Sequence, residues 1–138
     1  MRFWMLNPQI MCRQHLIAEH LECSAMCLGI LKRKCKIDGF IKSNAIEILS
    51  AKERHDELVE EMLRRGYNHN SPFIGIPDDL LLYYSEEAKF RVNRKESLKL
   101  LLGRCETCRS RYNRLFPHIH SSRILTENVE NLGAYTIL

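Results

Sequence analysis

The sequence predicts an all-α fold: a compact single domain of three long helices, a short helix and an irregular C-terminal tail. Three observations carry this prediction. Apolar residues recur at helical spacing over long stretches. Residues that start and stop helices bracket those stretches. No repeats and no paired alternating runs of the kind that build a sheet are found. The chain has 138 residues, 45% of them hydrophobic, which suits one domain with one core rather than a disordered chain.

Residues 1–7 read as extended. Pro8 suits the first turn of a helix and Asn7 suits its cap, so helix one is expected from Pro8 to about Lys36. Lys32-Arg33-Lys34 near its end complements the helix dipole. His15, Glu19 and Glu22 fall at i, i+4 and i+7 and share one face, while Ile10, Ile17, Leu21, Leu28 and Leu31 form an apolar stripe opposite. Asp38-Gly39 reads as a turn. Ser43 or Asn44 opens helix two, with Glu47 three residues after Asn44 as in a capping box. Gly66 ends it as a C′ residue, and Leu58, Val59, Met62 and Leu63 form its apolar stripe. Tyr67 to Asp79 reads as a loop, and Asp79–Tyr84 as the short helix. Ser85 is placed as the cap of a third long helix reaching about Arg114, with Gly103 its weak point. Pro117 ends the helical region. The expected organisation is a helical domain over 1–117 and a tail over 118–138, packed on the domain or extending from it.

The formal net charge is +4, with basic runs at Lys32-Arg33-Lys34, Arg64-Arg65 and Arg104 to Arg114. This balance permits nucleic-acid binding without demanding it. No secretory signal or membrane span is recognised, because the apolar opening is short and Arg13 and His15 interrupt it. The expectation is an intracellular monomer. Disulfides are then not expected, and Cys12, Cys23, Cys27 and Cys35 read as small apolar packing residues. Cys105-x2-Cys108 followed by His118-x-His120 offers four N/S ligands for a structural zinc. The other reading is two cysteines one turn apart on a buried face, with unrelated tail histidines. A single CxxC is a weaker signal than a paired one, so neither a metal nor an organic cofactor is expected.

Arg2, the run Gln14-His15-Leu16, Ala18-Glu19 and Glu22 together resemble the pyrimidine-dimer DNA glycosylases, the family of the phage enzyme called endonuclease V. The separation of 14 from Met1 to His15 is the one that family keeps between its N-terminal nucleophile and the histidine of Gln-His-Leu. Leu63-Arg64-Arg65-Gly66-Tyr67-Asn68 resembles the end of the family's second long helix. Arg54 stands where the family carries a basic residue. The resemblance covers residues 1–70 well, 71–115 loosely and the tail not at all.

The resemblance implies a DNA repair glycosylase with abasic-site lyase activity on pyrimidine dimers in duplex DNA. It places the nucleophilic α-amine on Met1 and the essential carboxylate on Glu22. An α-amine, with a pKa near 7.7–8.0, is partly neutral at physiological pH, whereas a lysine near 10.4 is almost wholly protonated. That difference favours a terminal amine as nucleophile. Arg2, His15, Arg54, Arg91 and Arg94 are the implied DNA contacts. His15, Arg54, Arg91 and Arg94 each have a plainer alternative: His15 as a packed histidine, Arg54 as the partner of Glu22 or Glu19, Arg91 and Arg94 as surface charges. Three departures bear on the substrate. The bulk of Arg2 favours retention of Met1, where the phage enzyme exposes a small threonine. Leu21 and Ala25 stand where the phage enzyme has basic residues. The phage enzyme's aromatic, lysine-containing C-terminal segment has no counterpart beyond Tyr135. The alternative is a non-catalytic or lyase-only DNA- or chromatin-binding relative that keeps the fold.

Overall fold

The computed structural model describes residues 1–32, 37–71 and 73–117. The described residues form six α-helices and three short 3-10 turns joined by irregular segments, with no strand among them, so the all-α expectation holds. Cys35, His118, His120 and Tyr135 lie outside the described residues.

The chain opens with an extended arm, residues 1–7, whose Phe3, Trp4, Met5 and Leu6 are buried. A 3-10 turn follows over Pro8–Ile10, capped by the Asn7 side chain accepting from the Gln9 N–H at 3.0 Å. Helix α1 then runs from Arg13 to Leu31, with Cys12 as its extended N-cap. The single helix expected from Pro8 is therefore broken at Met11 and Cys12. Helix α2, Ile37–Lys42, occupies the Asp38-Gly39 stretch that reads as a turn. Asn44 takes a left-handed φ of 56°, which asparagine tolerates better than most residues, and this redirects the chain.

Helix α3, Ala51–Arg64, starts later than the sequence suggests, after a 3-10 turn over Ile48–Ser50. Its end matches expectation. Gly66 adopts φ 84°, its N–H bonds to the Leu63 carbonyl, and the Tyr67 N–H bonds to the Met62 carbonyl. These two bonds form a Schellman motif. Arg65 ties α3 to the 3-10 turn by donating to the carbonyls of Pro8 and Met11 at 2.9 and 2.8 Å.

Helix α4, Asp78–Tyr83, lies close to its expected place. The third long helix is two helices, α5 over Arg94–Arg104 and α6 over Glu106–Leu115. Asn93, not Ser85, caps α5 by accepting from the Glu96 N–H. The break falls at Cys105, which is extended at φ −120° and ψ 109°, rather than at Gly103.

The core is built mainly by α1 packing on α3, with the arm and the first turn of α6 against them. The buried face of α1 is Leu16, Glu19, His20, Cys23, Met26, Cys27 and Ile30. The predicted stripe is corrected here: Leu21 and Leu31 are exposed, and Glu19 is fully buried. On α3, Leu58 and Met62 are buried as expected, Val59 is partly buried, and Leu63 is exposed. Arg54, His55 and Glu61 complete the inward face of α3.

Candidate active site at the N-terminal arm

The arm is fastened along most of its length. The Arg2 N–H donates to Glu22 Oε2 at 2.9 Å, and the Arg2 guanidinium reaches the carbonyls of Ser43 and Asn44 at 3.4 Å. The Phe3 N–H donates to the Ala45 carbonyl, and Ser97 Oγ donates to the Trp4 carbonyl at 2.6 Å. Met5 turns the arm through a left-handed φ of 55°, and its N–H points at Glu19 Oε2, 3.5 Å away. The Leu6 carbonyl accepts from Arg54 at 2.6 Å. This pinning leaves Met1 at the surface, 38% exposed, at the end of an ordered segment.

Glu22 is half-buried beside that terminus. Burial pushes its carboxyl above the usual carboxylate range, while the Arg2 N–H and the terminal ammonium partly oppose the shift. Arg2 feels the neighbouring Arg104 as a like charge. Met1, Arg2, Glu22 and the exposed Arg104 thus share one edge of the molecule. Sequence reading passed over Arg104 because its neighbour Arg2 is 102 positions away.

Arg54 is 1% exposed and lies at the centre of the fold. Its Nε and Nη2 grip the two oxygens of Glu19 at 2.5 and 3.0 Å. Nη1 donates to the Leu6 carbonyl and to Glu57 at 2.8 Å, and Nη2 also meets Met11 Sδ at 3.4 Å. A guanidinium has five N–H donors, and all are engaged. None is left for a DNA phosphate, so the phosphate contact gives way to the alternative pairing with Glu19. The physical reason is desolvation: a charge this deep is tolerated only when paired.

Arg94 pairs with the buried carboxylate of Glu47 at 2.5 Å. Burial alone would raise the Glu47 carboxyl, but Arg94, Ser50 and the Val92 N–H hold it below the ordinary range. Glu47 therefore fastens α3's leading turn to α5 rather than forming a capping box. Arg91 is exposed, with its guanidinium on the carbonyls of Ala88 and Phe90. A cleft of about 540 Å³ lies beside these residues, but Glu47, Glu53 and Glu57 line it and neither Met1 nor Glu22 does. Arg54, Arg91 and Arg94 line it too, but Arg54 and Arg94 are already paired with Glu19 and Glu47, so it offers a polyanion little uncommitted positive charge.

His15 is partly buried where α1 meets α6. Its Nδ1 lies 3.1 Å from Cys12 Sγ and 3.6 Å from Cys108 Sγ, and its ring meets the edge of Trp4. Burial lowers its pKa, against the raising effect of Glu19.

Fold and site together define a class: a small helical protein that sets its N-terminal segment against a carboxylate on its first long helix. The profile of the pyrimidine dimer DNA glycosylase family matches residues 1–75, more than half of the chain, and the chain belongs to that family. Its function is of the DNA-repair glycosylase kind, with DNA as the partner. The matched segment spans the arm and α1 to α3; α4 to α6 lie beyond it. No curated protein and no solved structure matches the chain. No helix among the described residues is long and apolar enough to cross a membrane.

Proposed function

We propose that this chain cuts damaged duplex DNA as a glycosylase with abasic-site lyase activity, through an imine on the Met1 α-amine. The observation that carries the reading is the hydrogen bond from the Arg2 N–H to Glu22. It sets the α-amine one peptide unit from a half-buried carboxylate. The neutral amine attacks the sugar C1′, the glycosidic bond breaks, and the base leaves with a proton. On a nucleotide the C1′–O4′ bond then opens, with O4′ taking a proton; at an abasic site the amine instead adds to the C1′ aldehyde and water leaves. Either route gives a cationic imine, which the Glu22 carboxylate stabilises. The imine acidifies the C2′ proton, and its removal expels the 3′ phosphate. A carboxyl raised by burial exchanges protons nearer to neutral pH than an ordinary one does. Arg2 and Arg104 supply cations for the flanking phosphates.

The surface beside Glu22 favours the lyase step over the glycosylase step. Leu21 is 57% exposed and Ala25 is exposed one turn on, so no cation from α1 helps to hold a distorted duplex there. Flipping a nucleotide out of the stack costs a few kcal/mol, and an abasic site requires less of it. A lyase-only relative is the second reading this favours. Single-turnover rates on matched duplexes test both. The parent should cleave the abasic duplex faster than the dimer duplex. Glu22→Gln should lower cleavage by a factor on the order of 10² or more with DNA binding kept. Equal cleavage by parent and variant would reduce Glu22 to a hydrogen-bond acceptor for the arm.

A further inference from the structure

Two short motifs far apart in sequence meet at one point. Cys12-x2-His15 opens α1, and Cys105-x2-Cys108 opens α6. In each, a cysteine is the N-cap and the second residue is the third of the helix. N-caps ordinarily favour Ser, Thr, Asp or Asn, so two cysteine caps facing each other are unusual. The four ligand atoms all lie within 4.8 Å of one another. Cys12 Sγ and Cys105 Sγ are 3.8 Å apart. His15 Nδ1 is 3.1 Å from Cys12 Sγ and 3.6 Å from Cys108 Sγ.

We propose that Cys12, His15, Cys105 and Cys108 form a closed tetrahedral site for a structural zinc ion. Zn–S bonds of about 2.3 Å and Zn–N bonds of about 2.0–2.1 Å place tetrahedral ligands about 3.8 Å apart for sulfur pairs and about 3.5 Å apart for sulfur and nitrogen. The separations of 3.1, 3.6 and 3.8 Å lie within about 0.4 Å of that frame, and the remaining pairs lie within 4.8 Å. The cysteines are free thiols, and Cys12 and Cys108 are buried. Backbone N–H groups already aim at two of the sulfurs: Cys12 N–H at Cys108 Sγ, 3.2 Å, and Cys108 N–H at Cys105 Sγ, 3.4 Å. Such donors are placed to hydrogen-bond metal-bound sulfur and so to orient the ligands. Binding would release the three thiol protons and leave the imidazole neutral, for a net charge of −1 on the site. The sequence-level candidates His118 and His120 lie outside the described residues and are not needed to complete the four ligands. His15, assigned to DNA by resemblance, becomes a metal ligand.

The site would staple α6, beyond the segment that matches the family, to the junction where the arm enters α1. His15 contacts Trp4, and Trp4 is held by Ser97 on α5, so the ion would stiffen the support of Met1 without touching the reacting atoms.

Metal analysis of the full chain, expressed with zinc and purified without chelator, tests this independently of activity. About one zinc per chain is expected, lost in Cys105→Ser/Cys108→Ser and kept in Cys27→Ala, which lies outside the cluster. Cobalt(II) substituted into the parent should give the intense visible bands of a tetrahedral thiolate site, a readout that needs no variant to fold. Chelation should lower the melting temperature. Zinc retained by the double variant, an octahedral cobalt spectrum, or a metal-free protein with a Cys12–Cys105 disulfide would each overturn the proposal.

Discussion

Replacing Arg54 with methionine separates a structural arginine from a DNA-binding one. Methionine roughly fills the space of the stem but makes none of the five hydrogen bonds. It leaves the buried Glu19 carboxylate, 0% exposed, with the Met5 N–H, 3.5 Å away, as its one remaining hydrogen-bond donor among the described residues. Removing one partner of a buried ion pair typically costs about 3–5 kcal/mol. For a domain of this size that corresponds to a fall in melting temperature on the order of 10–20 °C. Urea denaturation followed by circular dichroism measures it. Because the penalty comes mostly from the stranded charge, Arg54→Met/Glu19→Leu should lose less than the sum of the two single variants. A single variant with parental stability, whose duplex binding loses about 0.9 from its salt slope, would refute the buried-hub reading and restore Arg54 as a phosphate contact.

Two further outcomes are expected. Duplex binding should weaken with salt, and Arg2→Ala and Arg104→Ala should each lower the slope by about 0.9; titrations by fluorescence anisotropy check this, and unchanged slopes would move the DNA off this edge. Stability should also decline with acid, through His20. Burial, then the neighbouring His55 and His69, lowers the pKa of His20 to about 4, and Asp56 partners the His55 ring on its outer side. A folded pKa below the unfolded value of about 6.5 means that the unfolded state binds the proton first, so this loss accumulates as pH falls from about 6.5 to about 4. Urea midpoints across that range should be flatter for His20→Phe than for the parent, and parallel curves would contradict the assignment.

The sequence was most legible where local chemistry decides structure. Gly66 ends α3 because only a left-handed residue closes that turn, Asn7 caps its turn through its own side chain, and the acidic start of α4 lies beside its predicted place. The buried face of α1 was not legible, since its core side carries Glu19 and His20 while Leu21 and Leu31 face solvent. Polar residues in a buried stripe erase the contrast on which periodicity depends, and their partners are 35 positions away or more. The break at Cys105 was hidden because a cysteine cap carries no ordinary stop signal, whereas Gly103 does. At the site, the spacing of Arg2, His15 and Glu22 pointed to the arm and α1 together. The chain could not disclose that Arg54 turns inward, that Arg94 is committed to Glu47, or that the charge of Arg104 is felt at Arg2. The paired x2 spacings of Cys12-His15 and Cys105-Cys108 were readable, but nothing local joins motifs that tertiary packing brings together.

The identity of the nucleophile is the central claim, and borohydride reduction in the presence of an abasic duplex tests it most directly. Reduction converts the imine to a stable amine, and mass spectrometry of the proteolysed adduct locates it. The intact mass of the unreacted protein first establishes that the Met1 amine is free. The account predicts a covalent protein–DNA adduct on the peptide that begins at Met1, attached at the α-nitrogen. An adduct on an internal lysine, or no adduct at all from protein with a free Met1 amine, would contradict it.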